Sequence, residues 1–277
     1  MIDIKIDIAD KTYNLTHPSL LNDLTKAQFT EIVKYIYSSE KNTLNNEETK
    51  IKLLFVLLGG LSCSKKKRKE TYKITDAVVN SELAEDLFAL QNFITKEQDF
   101  NNWLIPSIKI GKNTSYYGPD NRFSSMKFGE FISVDMLISA YFGSKKPAAI
   151  LDKIVAVLYR EERNDIPNNF TGDRRTLLDS DLISHREKIV KNLDEITKKA
   201  ILYNYIGVRN WLSKKYSLVF SSPDTSKRMN ITLGKKENNW LSIRRHLAGN
   251  VITKLKEVDI TNLHDVLSSL NEEMKKD

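Results

Sequence analysis

The chain has a single cysteine, Cys63, among 277 residues. One thiol excludes an internal disulfide framework and any cysteine-rich zinc site, and Cys63 itself reads as a half-buried small residue in a reducing compartment. Glycine (10) and proline (6) are scarce, and long stretches run without either, which argues against a turn-rich β-architecture. No long apolar run is present. The most apolar segment, Ile51 to Leu61, covers about half a membrane span and carries Lys52. The first residues alternate Ile with Asp or Lys and contain no apolar leader segment, so the expectation is a soluble, non-membrane protein made in the cytoplasm. The four histidines, His17, His185, His246 and His264, are far apart, and none has a second ligand at metal spacing. No glycine-rich loop follows a strand. The acidic pairs Glu47-Glu48, Glu161-Glu162 and Glu272-Glu273 suit solvated helical faces, and the loop from Asn164 to Arg175 lacks the ligand order of a calcium site. These absences predict no catalytic, metal-binding or cofactor-binding residues, no cofactor, and no enzymatic activity.

What the chain does have is uneven positive charge. The total is +7, with 40% apolar and 29% charged residues, ordinary for a folded protein. Residues 65–73 alone carry +5 and residues 209–256 carry +9, which leaves −7 for everything else. Two basic regions on a mildly acidic body suggest polyanions or acidic neighbours as partners. The candidate polyanion contacts are Lys65, Lys66, Lys67, Arg68 and Lys69 of the run Ser-Lys-Lys-Lys-Arg-Lys-Glu, together with Lys235, Lys236, Arg244 and Arg245. Five adjacent cations repel one another, so the run is expected as an exposed loop, with a merely solvated loop and a contact to DNA or an acidic surface both open. Contact of this kind is sequence-independent.

Hydrophobic periodicity predicts a mainly α protein with a small N-terminal β element, that is, an α+β chain with a helical body. Ile2, Ile4, Ile6 and Ile8 alternate with Asp3, Lys5 and Asp7 as in a half-buried strand, and Thr12 to Leu15 can return as its partner. Thr25 is a candidate N-cap for a helix bearing Phe29, Ile32, Val33 and Ile36. A second helix is expected from Asn46 to Leu58, ended by Gly59-Gly60. Others are expected near 81–94, from about Ser133 to Phe142, over 148–161, and from Ser180 to about Phe220 with a break at Gly207. Phe128, Phe131, Met136, Leu151, Ile154, Val157, Leu158, Leu193, Ile196 and Ala200 are expected to share one core. The pattern divides the chain into a helical body with its N-terminal hairpin, 1–220, and a linker with a C-terminal helical arm, 221–277. The narrow seam Leu263, Val266, Leu267, Leu270 and Met274 on that arm suits docking against a partner helix, expected on a neighbouring subunit, with packing back on its own chain also open.

Three blocks, taken in order, carry a resemblance. They are residues 11–36, with Leu24-Thr25-Lys26-Ala27-Gln28-Phe29 opening a helix after Pro18; residues 116–142, from Tyr116-Tyr117-Gly118-Pro119 into an apolar helix; and residues 148–161, another apolar helix. This succession resembles small virion proteins of the neck or tail region of tailed bacteriophages, especially connector ring proteins of crAss-like phages. The resemblance implies a non-enzymatic structural subunit of the virion. Such a subunit assembles as a homo-oligomeric ring near the portal, surrounds the DNA passage, and contacts other ring, portal or tail proteins. Two other readings of the same residues are a nucleic-acid-binding accessory protein acting through 65–73 and 209–256, and a tail assembly factor.

Overall fold

The structure, a computed structural model, describes residues 1–8, 11–37, 47–62, 64–96, 100–111, 114–167, 170, 172–220 and 240–275. Cys63, Lys235, Lys236 and the linker 221–239 lie outside them. The chain is mainly helical with small antiparallel sheets. It separates into two compact units, residues 1–100 and residues 101–277.

In the first unit, β1 (Ile2–Ile8) pairs antiparallel with β2 (Lys11–His17), Ile2 opposite His17 and Ile6 opposite Tyr13. The alternation read in the sequence is the two-faced strand. Ile6 is buried while Asp3, Lys5 and Asp7 stay exposed. Helix α1 (Lys26–Tyr37) opens with a reciprocal cap: Gln28 N–H donates to Thr25 Oγ1, and Thr25 N–H donates back to Gln28 Oε1. Phe29, Ile32 and Val33 form its buried stripe. Helix α2 (Glu47–Phe55) widens into a π-helical turn over Val56–Gly60. The side-chain amide of Gln28 donates to the carbonyls of Val56 and Leu57 there, satisfying acceptors that the wider turn leaves free. Gly59 ends it with φ 98°, a left-handed conformation that a side chain disfavours. Helix α3 (Lys65–Val79) and the short helices α4 (Ala84–Ala89) and α5 (Phe93–Lys96) follow. Ile6, Leu54, Leu58, Ile74, Val78, Leu87 and Phe88 make one core, covered by Ile4, Tyr13 and Leu15 of the hairpin.

The second unit begins with a hairpin: β3 (Ser107–Ile110) pairs with β4 (Thr114–Tyr117). Helix α6 (Phe128–Gly143) starts five residues earlier than the pattern suggested and packs on α7 (Pro147–Leu158). Leu151, Ile154, Val155, Ala156, Val157 and Leu158 are all buried, because α7 is enclosed by α6, by α8 (Ser180–Val190) and by α9 (Glu195–Lys215). The break between α8 and α9 lies at 191–194 rather than at Gly207. Asp194 caps α9 by accepting from Thr197 N–H, and Gly207 is buried inside that helix. Of the expected shared core, Met136 is 48% exposed and Leu193 and Ile196 are half-buried. On α6 the polar Asp135 takes the inward position next to Met136, accepting from Arg209 and from Trp240 Nε1–H.

The C-terminal segment belongs to this second unit, so the division falls at 100/101 and not near 220. Helix α10 (Ser217–Phe220) continues from α9, and α11 (Trp240–Leu247), α12 (Leu255–Ile260) and α13 (Leu263–Glu273) follow. Phe128 N–H donates to Thr261 O and Leu263 N–H donates to Met126 O, which ties the chain near 262 to the start of α6. Gly129 permits the close approach of α12: a Cβ there would sit 2.8 Å from Cβ of Asp259.

Candidate functional site: a cationic helix end

The run of five cations is helical, a correction to the loop expected from charge repulsion. Ser64 is the N-cap of α3, its Oγ accepting from Lys67 N–H at 3.4 Å. Lys65, Lys66, Lys67, Arg68 and Lys69 occupy the first turn and a half, and all five are exposed. At about 100° per residue they encircle the helix axis. The buried face of α3 consists of Thr71, Ile74, Thr75 and Val78. Lys67 lies one turn before Thr71 and two before Ile74, on the extension of that same face, yet it is exposed. The beginning of α3 therefore overhangs the body that its later turns pack against.

The electrostatics of this overhang oppose the ordinary rule. Helix N-termini carry partial positive charge and favour acidic side chains, but the first turn of α3 has no acidic residue and its last turn no basic one. Lys65 and Lys69, four apart, add a like-charge pair of the kind that destabilises helices by a few tenths of a kcal/mol. Among the described residues, none of the five enters an ion pair. The consequence is a compact, uncompensated positive potential, the condition under which an external polyanion binds through counterion release.

The other candidate cations behave differently. Arg244, on α11, is held by the carboxylate of Asp259 and serves the packing of α11 on α12. Arg245 is exposed on the same helix. The seam of α13 is spent inside the unit: Leu263, Val266, Leu267 and Leu270 are 0–6% exposed, and α13 packs on α10 and α6. That corrects the expectation that these residues dock on a partner. Only Met274, at 42%, remains on the surface.

A second constellation, not anticipated from the sequence, lies in the second unit. Tyr117 and Arg160 exchange backbone hydrogen bonds, and Glu162 bridges to Arg175; these pairings place Arg160 and Arg175 over Glu130 of α6. The carboxylate of Glu130, 1% exposed, accepts from Arg175 Nη1 at 2.6 Å and from Arg160 Nη2 at 3.0 Å. Asp173 accepts from Arg175 Nε at 2.8 Å. Burial would raise the Asp173 carboxyl, but Arg175 outweighs it and holds the pKa below the ordinary carboxylate value. Burial acts to lower Arg175, which Glu130 and Asp173 reverse. For Arg160 burial prevails and its pKa is lowered. The signals in the sequence were Glu130 between Phe128 and Phe131, and Arg160 directly after an apolar helix.

Elsewhere, His264 is bound on both sides. Its Nε2 faces the carbonyl of Arg122 at 2.7 Å and so carries the hydrogen; Nδ1 then accepts from Tyr216 O–H at 2.8 Å. Among the described residues no group of three or more His, Cys, Asp and Glu is placed to hold a metal ion. Among the described residues no helix is long and apolar enough to cross a membrane. No protein-family model, no curated protein and no solved structure matches this chain significantly.

Proposed function

We propose that the chain is a non-enzymatic structural subunit of a phage virion, assembling as a homo-oligomeric ring in the portal-proximal neck or tail connector, with the start of α3 turned toward a polyanion. That polyanion is the DNA passing through the ring or an acidic face of a neighbouring ring, portal or tail protein. The observation that carries the reading is the overhang of Lys65 to Lys69: five exposed cations, without an ion-pair partner among the described residues, built onto the end of a helix. Functional positions are where a fold is expected to break its local rules. The order of the three blocks resembling connector proteins supplies the assembly. Such a ring uses heterologous contacts that close by rotation.

The test joins assembly to salt dependence. The particle mass of the full chain and its negative-stain images are recorded, and duplex-DNA affinity is measured across a salt series. The same is done after changing Lys65, Lys66, Lys67, Arg68 and Lys69 to Gln, which matches lysine in helix propensity. The expected result is a discrete ring of many copies whose dependence of log affinity on log salt flattens in the variant. The flattening reaches about 4.5 units when all five cations touch phosphates. A monomer or dimer that binds DNA with the same α3-dependent slope would replace the ring by the accessory-protein reading. No ring and an unchanged slope would end both.

A further inference from the structure

The buried ion cluster of the second unit uses its donors unevenly. Every N–H of Arg175 has an acceptor: Nε on Asp173, Nη1 on Glu130 and on the Leu158 carbonyl, Nη2 on Glu130 and Asp173. Arg160 is just as deeply buried, its side chain 2% exposed, yet only its Nη2 reaches a hydrogen-bond acceptor. Its Nε and Nη1 are buried without a partner among the described residues. A buried charged donor group with no acceptor in the protein is strongly disfavoured, and an external ion is one of the recognised ways such a group is satisfied.

Arg160 forms part of the wall of a cavity of about 320 Å³, large enough for a small ligand. Arg163, Arg175 and Lys127 line it with Arg160, against the carboxylates of Glu130 and Asp173, an excess of two positive charges. Arg163 also holds Asp165 outside the wall, which reduces the excess to one. The neutral polar groups there are partly committed already: Ser125 donates to Asp120, and Asn262 donates to the Ser124 carbonyl. Recognition therefore falls on the cations. The desolvation that lowers Arg160 would be relieved by an anion arriving beside it.

We infer that this cavity is a binding site for a small oxyanion of the phosphate class, inorganic phosphate or the phosphate group of a larger molecule, with Arg160 as the buried anchor and Arg163 and Lys127 at the rim. Phosphate suits the wall better than carboxylate does. Its tetrahedral oxygens can meet cations that come from three separate segments, whereas a carboxylate presents two oxygens in one plane. The site is independent of α3 and of ring assembly.

The experiment uses the full chain titrated with inorganic phosphate at constant ionic strength, with acetate and a phosphate monoester as parallel series. The melting temperature and the side-chain Nε–H resonances of arginine are followed. The expected outcome is a saturable rise in melting temperature with phosphate, absent with acetate, together with displacement of the Arg160 resonance, assigned by its loss in Arg160→Lys. Arg160→Lys disturbs a buried group, so Arg163→Gln and Lys127→Gln, outside the hydrogen bonds of Glu130, provide the second measure. Each should weaken phosphate about three- to ten-fold without changing the melting temperature in phosphate-free buffer by more than a few degrees. Tighter binding of the monoester would assign the site to a larger phosphate-bearing molecule, and preference for the free ion to phosphate itself. The inference falls if no saturable shift occurs, if acetate saturates equally well, or if phosphate binding is unchanged in both rim variants. The Lys65-to-Lys69 glutamine variant should bind phosphate as the parent does, which separates this site from the proposed polyanion surface.

Discussion

Replacing Glu130 with Gln is the most demanding test of how the second unit is held together. The substitution keeps shape and one acceptor oxygen but removes the charge between two guanidinium groups that are 1–2% exposed. Arg175 would retain Asp173; the Arg160 guanidinium would have its hydrogen bond to Glu130 weakened or lost and keep an ion-pair approach to Asp173 at 3.6 Å. The new amide would also aim N–H groups at one of the cations. Breaking a buried pair by removing one partner costs about 3–5 kcal/mol, because a charge is left uncompensated. For a unit of this size each kcal/mol lowers the melting temperature by about 2–4 °C, so a fall of roughly 6–20 °C is expected. The assay is simple because Trp103, Trp211 and Trp240, all three tryptophans of the chain, belong to the second unit, so tryptophan fluorescence follows that unit alone. A double variant, Glu130→Gln with Arg160→Met, should recover at least about 1 kcal/mol relative to additivity, since it removes the stranded cation along with its partner. A Glu130→Gln protein melting within about 1 °C of the parent would show that these charges do not lock the unit, and the cluster would have to be hydrated or rearranged.

Two further outcomes follow from the same structure. Burial lowers the pKa of His264 below 6.5, and nearby Lys215 adds to the lowering. The folded state thus binds its proton less readily than the unfolded state, whose value is near 6.5; stability from this group is full above about pH 6.5 and is lost as pH falls through the folded value. His17 is lowered in the same direction. Melts of His264→Gln should show a shallower loss between pH 7 and pH 5 than the parent, and an equal slope would exclude His264 as the source. Deleting residues 261–277 removes Leu263, Val266, Leu267 and Leu270 from the second unit and should abolish its cooperative tryptophan transition; a truncated chain that still melts cooperatively near the parent temperature would place those residues outside the core.

Local signals were legible wherever the physics was local. Thr25 and Gln28 cap α1 three residues apart, and Gly59 supplies the left-handed turn that ends the second helix, as the residue types require. The reading of α3 failed on magnitude. Repulsion among Lys65 to Lys69 costs tenths of a kcal/mol per pair, whereas burying Ile74 and Val78 in the core of the first unit contributes about 1.5–3 kcal/mol each. The stripe beginning at Thr71 carries the helix, and Ser64 sets its start beyond the edge of the packing. The break before α9 was visible in Asp194, an N-cap residue, whereas Gly207 is buried in the middle of that helix and does not interrupt it. Glu130, Arg160 and Arg175 were not legible as a group, because partners 30 and 45 residues apart leave no spacing to read; only an acid between two inward-facing phenylalanines hinted at a buried counter-charge. The α13 seam was read correctly as apolar and assigned the wrong neighbour, since periodicity specifies a face and not what covers it.

The hydrogen bonds joining Phe128 to Thr261 and Leu263 to Met126 set an order on the birth of the molecule. At about 5–20 residues per second, a ribosome that has just made Phe128 needs roughly 7–27 s more to reach Leu263. During that interval the first unit has every residue it needs, while the inward faces of α6, with Phe128 and Phe131, have emerged without the segment that closes over them. The nascent second unit therefore spends its synthesis as an open apolar surface, exposed to sticking or to a holding chaperone. A pause late in that interval lengthens the exposure without delaying the first unit.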